Sequence, residues 1–174
     1  YLHEYFPGYE NYFWLDSDTW INCPETFQHY LKGVNEKGFA ICPQIDRASS
    51  KLLNIKWFLN FPLKINSINY KNISKSISKN MGKKYAGHYT LNAGCFGYSK
   101  NYEGLSLIQK NLKEASKKGR IFGSDQVALA LSAFEDNLEF EFLPSYCNWI
   151  CEHHMPKYCE LREVFVEPYV PHHN

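Results

Sequence analysis

The sequence predicts an α/β fold, a mixed central sheet with flanking helices in a single domain over residues 1–174. Three observations predict it. Short runs rich in aromatic and β-branched residues take turns with longer amphipathic stretches, so strands and helices alternate along the chain. The length of 174 residues is about one domain's worth of chain. A hydrophobic content of 44%, with 17% aromatic, supplies a packed core and leaves rings over to line a cleft.

Residues 11–16 read as a buried strand ending in Asp16. Pro24 opens a segment, 25–37, that predicts a short helix ended near Gly38. Phe39-Ala40-Ile41-Cys42 predicts a second strand, stopped by Pro43. Residues 48–60 predict a helix that closes before Pro62. In 66–80, Ile68, Ile73 and Ile77 among Ser, Asn and Lys predict a weakly amphipathic helix. His88–Ser99 turns strand-like, but Asn92-Ala93-Gly94 interrupts it, and a glycine inside a strand marks a bulge or a close approach. Residues 102–118 predict a helix with Leu105, Leu107, Ile108 and Leu112 inward, ended by Gly119. Ser124 or Asp125 is expected to cap the following Ala/Leu-rich buried helix. Leu138–Leu143 alternates as a strand, and the tail from Pro144 reads as irregular.

Composition narrows the function. A net charge of +1 argues against non-specific nucleic-acid binding, and Lys75–Lys84 and Lys110–Arg120 read as solvated helix faces. No run approaches the ~20 apolar residues of a membrane span, and no signal peptide is visible. The chain opens without Met in a Tyr/Phe-rich segment, as expected of a fragment. Six scattered cysteines in an ordinary globular composition point to reduced thiols and a cytoplasmic setting, while the sequon Asn72-Ile73-Ser74 keeps a lumenal alternative.

The chemistry concentrates at Tyr12-Phe13-Trp14-Leu15-Asp16-Ser17-Asp18. Two carboxylates spaced two apart at the end of an apolar strand repel unless a cation sits between them. Hard oxygen ligands suit Mn²⁺ or Mg²⁺, which keep positions open for phosphate oxygens. The plainer alternative is a surface turn, for which Asp-Ser-Asp is also suited.

Three further elements follow in order: Leu91-Asn92-Ala93-Gly94-Cys95-Phe96, then Ser124-Asp125-Gln126, then Leu143-Pro144-Ser145-Tyr146-Cys147-Asn148-Trp149. This succession resembles the GT-A-fold glycosyltransferases, in particular the retaining families related to glycogenin and the galactosyltransferases. Their pattern reads hDxD, NxGxF, DQ and LPxxYN, and the resemblance covers roughly residues 11–149. It implies a metal-dependent transfer of a hexose from a nucleotide sugar, such as a UDP-hexose, to a carbohydrate or other hydroxyl acceptor. It implies that Asp16 and Asp18 hold Mn²⁺ (or Mg²⁺) against the donor diphosphate. Asn92, Ala93 and Gly94 would face the donor sugar. Asp125 would bind sugar hydroxyls and Gln126 would lie on the reacting face of the anomeric carbon. A carboxylate at a helix N-terminus is electrostatically favoured in any case. The DQ pair implies retention, although inverting enzymes of this fold also carry DxD. Acceptor binding would fall to Trp57, Tyr146, Trp149 and the segment 43–60.

The chain departs from the pattern in places. Val127 stands where a further Asp is common, and Cys147 where the pattern has Tyr. The third metal ligand of these families is a His near the C-terminus, for which His172 and His173 are the nearest candidates or which lies past Asn174. The base-binding part would precede Tyr1, so this chain is expected to be the core and acceptor-side portion of such a domain.

Two rivals use the same residues differently. A haloacid-dehalogenase-like phosphatase would take Asp16 as nucleophile and Asp18 as acid/base, but it lacks a convincing downstream Lys and paired Asp. A non-catalytic interaction module would clip zinc with Cys147, Cys151, His153, His154 and Cys159, at an irregular spacing.

Overall fold

The computed structural model describes residues 2–21, 23–45, 53–118, 122–150, 157–159 and 164–166. In chain order the first half holds α1 (Leu2–Tyr5), β1 (Asn11–Leu15), α2 (Thr26–Lys37), β2 (Phe39–Gln44), β3 (Leu53–Phe58) and β4 (Phe61–Ser67). Then follow α3 (Ile68–Ser76), α4 (Lys79–Lys84), β5 (Thr90–Ser99), α5 (Leu105–Ser116), α6 (Ser124–Phe134) and β6 (Glu141–Phe142). A 3₁₀ turn spans Ser145–Asn148, and β7 (Lys157–Cys159) pairs antiparallel with β8 (Val164–Val166).

The central sheet has the order β1-β5-β2-β6. β5 runs antiparallel to β1 and β2, and β6 runs parallel to β2, so the sheet is mixed. Strand alternation divides β2 between two cores. Phe39 and Ile41 join Tyr12, Leu91, Ala93, Tyr98, Leu129 and Phe140 on the face covered by α5 and α6. Ala40 and Cys42 join Tyr30, Val34, Cys95, Leu143 and Cys147 on the face covered by α2. The sheet therefore lies between helices, as the alternation of elements predicts. Phe39 anchors the first core, its ring 4.5 Å from Phe140 and 5.5 Å from Phe96.

Several expectations are corrected. β1 is an edge strand with only Tyr12 fully buried, not a buried strand, because β5 covers one side only. β2 continues through Pro43 to Gln44, since β6 pairs only with Ala40 and Ile41 and leaves that edge open to a residue without an N–H. The helix expected over 48–60 is instead the strand β3, paired antiparallel with β4. Its β-branched and aromatic content outweighed a mixed apolar spacing, and residues 48–52 lie outside the described set. The helix over 66–80 forms as α3 and α4, because Ser78 turns extended and accepts from the Met81 N–H to cap a new helix. Within α5 only Ala115 is buried, and Leu112 is exposed. The expected stop at Gly119 lies outside the described residues. α6 is capped by Gly123 at φ 78°, not by Ser124 or Asp125. The strand over 138–143 shrinks to β6, with Phe140 in the core and Phe142 exposed. The tail is not wholly irregular, as β7 and β8 show.

Gly38 ends α2 as expected, at φ 77° with its N–H on the Val34 carbonyl, and turns the chain directly into β2. Cys23, Cys42, Cys95 and Cys147 are free thiols. Among the described residues no helix is long and apolar enough to cross a membrane.

Candidate functional site

The site begins with an irregularity in β5. Its register with β2 jumps from Ile41↔Phe96 to Cys42↔Asn92, leaving Ala93, Gly94 and Cys95 without partners on β2. On the other side, β1 pairing ends at Leu15↔Cys95, and the Asp16 N–H donates to the Gly94 carbonyl at 2.9 Å. The bulge expected at Asn92-Ala93-Gly94 thus meets the end of β1, where it re-aims side chains.

Three sequence elements converge there. Asp16 Oδ1 accepts from Trp14 Nε1 at 2.8 Å. Asp16 Oδ2 and Asn92 Oδ1 crowd the space over Gly94, where a Cβ would lie 3.3 Å from each. Asn92 is buried, its Oδ1 accepting from the Gly94 N–H at 3.1 Å and its Nδ2 donating to the Asn148 carbonyl at 3.3 Å. A Cβ at position 94 would press on both oxygens by a few tenths of an ångström, so glycine leaves the space between them clear. Asp18 lies in the turn closed by the Thr19 N–H on the Asp16 carbonyl, 3.0 Å away. Asp16 and Asp18 are both exposed, and among the described residues neither takes part in an ion pair.

Beneath this cluster lies an uncharged floor. The Tyr30 hydroxyl is within 3.4 Å of Cys42 Sγ and donates to the carbonyls of Cys95 and Cys147 at 3.5 and 3.4 Å. Burial pushes the Tyr30 hydroxyl far above the ordinary tyrosine range. The Cys42 thiol is pushed up by its hydrogen bond with Cys147 and by burial. Burial also raises the Cys95 thiol, with the Asp16 carboxylate adding to the effect. These groups therefore stay neutral, and the charge of the site resides in the exposed carboxylates.

Asp125 and Gln126 form the first turn of α6, with Asp125 Oδ1 accepting from the Gln126 N–H at 2.7 Å. The C-terminal Phe134 of this helix packs on Tyr89, ring centroids 5.3 Å apart, and Leu129 shares a core with Leu91 and Ala93. The helix therefore packs on the Leu91–Ala93 part of β5 with its C-terminal end at Tyr89, and its N-terminal Gly123 lies against Asn72 of α3. No hydrogen bond among the described residues joins Asp125 or Gln126 to Asp16 or Asn92. Gly123 sits over Asn72, where a Cβ would come 3.2 Å from Nδ2.

Of the residues the sequence points to, Asp16, Asn92 and Gly94 are brought together, with Asp18 two residues on. Among the described residues no group of three or more His, Cys, Asp and Glu side chains is placed to hold a metal. His172, His173, Cys151, His153 and His154, and the Cys159 side chain, lie outside the described residues. Cys147 is buried in the Tyr30 core. Of the acceptor-side aromatics, Trp57 stands on the separate β3–β4 ribbon, Tyr146 packs against His29 at 6.0 Å, and Trp149 follows Asn148 beside the site. Two functional neighbours were not picked out from sequence, Trp14 and Asn148. Trp14 was findable, since residues two apart on a strand share a face. Asn148 closes the fourth sequence element, but only the tertiary fold sets its carbonyl on Asn92.

No protein-family model, no curated protein and no solved structure matches this chain.

Proposed function

We propose that this chain is the core and acceptor-side portion of a metal-dependent GT-A-type glycosyltransferase, which moves a hexose from a nucleotide sugar to a hydroxyl acceptor with retention. The observation that carries the reading is the meeting of Asp16 Oδ2 and Asn92 Oδ1 across Gly94, from segments far apart in sequence. The mixed sheet with helices on both faces agrees with such a domain.

Asp16 and Asp18 are the residues that would hold Mn²⁺ or Mg²⁺. Their fit is chemical: hard carboxylate oxygens, exposed at a strand end and, among the described residues, in no ion pair. Such an ion, when bound, neutralises charge on a departing diphosphate. Trp14 Nε1 fixes the Asp16 carboxylate, so it is oriented before any ligand arrives. Asn92, held by Gly94 and Asn148, lines the sugar side, and Gly94 leaves room for the sugar at the backbone; Ala93, expected beside them, is instead buried in the core under α5 and α6. Asp125 accepts hydrogen bonds from sugar hydroxyls at a helix N-terminus, and Gln126 presents its amide to the reacting face.

The test is UDP release from a UDP-hexose, with Mn²⁺ and with chelator, by the full-length protein as wild type, Asp16→Asn and Asp18→Ala. Dependence on Mn²⁺ and a loss of about 100-fold or more in each variant are expected, the scale of removing one transition-state charge stabiliser. Normal turnover by Asp18→Ala, or absence of Mn²⁺-dependent turnover in the wild type, sinks the reading.

A further inference from the structure

β3 and β4 form a two-stranded ribbon outside the central sheet, joined to the body through α3, which begins where β4 ends. Its tip is apolar and solvent-facing. Trp57, Phe58, Leu59, Phe61 and Leu63 are all exposed, Leu59 to 82% and Phe61 to 72%. A single two-stranded ribbon is marginal in water, and a contiguous patch of this kind marks an interaction surface.

Just behind the tip, Lys56 and Lys64 face each other as direct register partners, both exposed. The charge continues along the chain. Residues 53–84 contain seven lysines and no Asp or Glu, although the whole chain has a net charge of only +1. Of these lysines only Lys84, with Glu135, is in an ion pair among the described residues. Charge is therefore unevenly spread along the chain, and the exposed apolar ribbon lies within its basic stretch, 53–84.

We propose that the β3–β4 ribbon is a membrane-surface anchor that sinks its tip into anionic lipid bilayers. Tryptophan and phenylalanine settle at the headgroup level, leucine reaches the acyl boundary, and a lysine collar meets anionic headgroups. A second copy of this chain is a poorer occupant, because tip-to-tip packing would bring two Lys56/Lys64 pairs together. A single-stranded nucleic acid is also poorer, because stacking on Trp57, Phe58 and Phe61 would leave the apolar Leu59 and Leu63 in water. The anchor stands independently of the glycosyl-transfer reading.

The experiment is co-sedimentation of the full chain with vesicles of phosphatidylcholine alone, or with about one-third phosphatidylglycerol, at low and high salt. The wild type pellets with the anionic vesicles and far less with neutral ones, and salt weakens the binding. Each lysine near an anionic surface contributes roughly fivefold, so Lys56→Glu/Lys64→Glu loses at least ~25-fold. Leu59→Asp loses ~10-fold or more through the apolar contact. Both sets of side chains are exposed, so circular dichroism and the thermal midpoint stay at wild-type values. The proposal is overturned if the wild type stays in the supernatant, or if both variants pellet as it does. A wild-type dimer that Leu59→Asp converts to monomer overturns it in favour of a second copy. Binding of single-stranded RNA, but not of vesicles, that the charge reversal abolishes overturns it in favour of nucleic acid.

Discussion

Replacing Gly94 with alanine separates the site from the fold. Gly94 is not in the left-handed region, so alanine is free of backbone strain there. Its methyl would lie 3.3 Å from Asp16 Oδ2 and 3.3 Å from Asn92 Oδ1, a few tenths of an ångström inside ordinary contact. Neither neighbour yields freely, since Trp14 holds Asp16 while Gly94 and Asn148 hold Asn92. Alanine stabilises by about 0.4–1 kcal/mol through the unfolded chain. Straining one of these hydrogen bonds costs about 0.5–1.5 kcal/mol. The two nearly cancel, so the thermal midpoint should move by no more than about 2–4 °C. The carboxylate, however, is pushed off its set position, and disturbance of that kind lowers metal affinity about 10–100-fold. Paramagnetic Mn²⁺ quenches nearby tryptophan fluorescence, and Trp14 donates directly to Asp16, so a Mn²⁺ titration read by fluorescence measures the effect. Wild-type quenching by Gly94→Ala would refute the reasoning. A midpoint drop well beyond that range would do so too, by making Gly94 a structural residue.

Two other outcomes follow from the fold itself. Gly38→Ala should unfold about 4–8 °C lower in a thermal melt, since a left-handed φ of 77° and a Tyr102 ring carbon 2.5 Å from the new Cβ together cost at least about 2 kcal/mol. At Glu135, hydrogen bonds from Lys84, 2.6 Å away, and from the Tyr85 hydroxyl hold the carboxyl below the usual glutamate range. A depressed carboxylate stabilises the fold above its unfolded pKa and loses that contribution as pH falls through its folded pKa. Thermal midpoints of the wild type and Glu135→Gln should therefore differ at neutral pH and converge on acidification below the glutamate range; a constant difference contradicts the pairing.

Much of the fold was legible because local chemistry determines it. Gly38 after a polar-apolar run ends α2, and the Ala/Leu-rich stretch after Asp125 is buried as α6. The failures share a cause. The stretch 48–60 lacks a clean period, so pairing with β4 decided that Leu53–Phe58 is a strand. Pro43 reads as a stop, yet the open edge beside β2 accommodates it. Ser124 and Asp125 are good caps by type, but Gly123 in the left-handed region already starts the helix.

The sequence alone determined the strand that ends in Asp16-Ser17-Asp18, the glycine break in β5 and the carboxylate at the start of α6, since each follows from residue type and spacing within a few positions. What it could not determine is distance. That Asp16 Oδ2 and Asn92 Oδ1 share the space over Gly94, that Trp14 and Asn148 brace them, and that neutral thiols lie beneath came only from the tertiary structure. The physical reason is that contacts between distant segments depend on strand order and register. A three-residue bulge in β5 opposite β2 decides which side chains face Asp16, and nothing local to Asp16 encodes it.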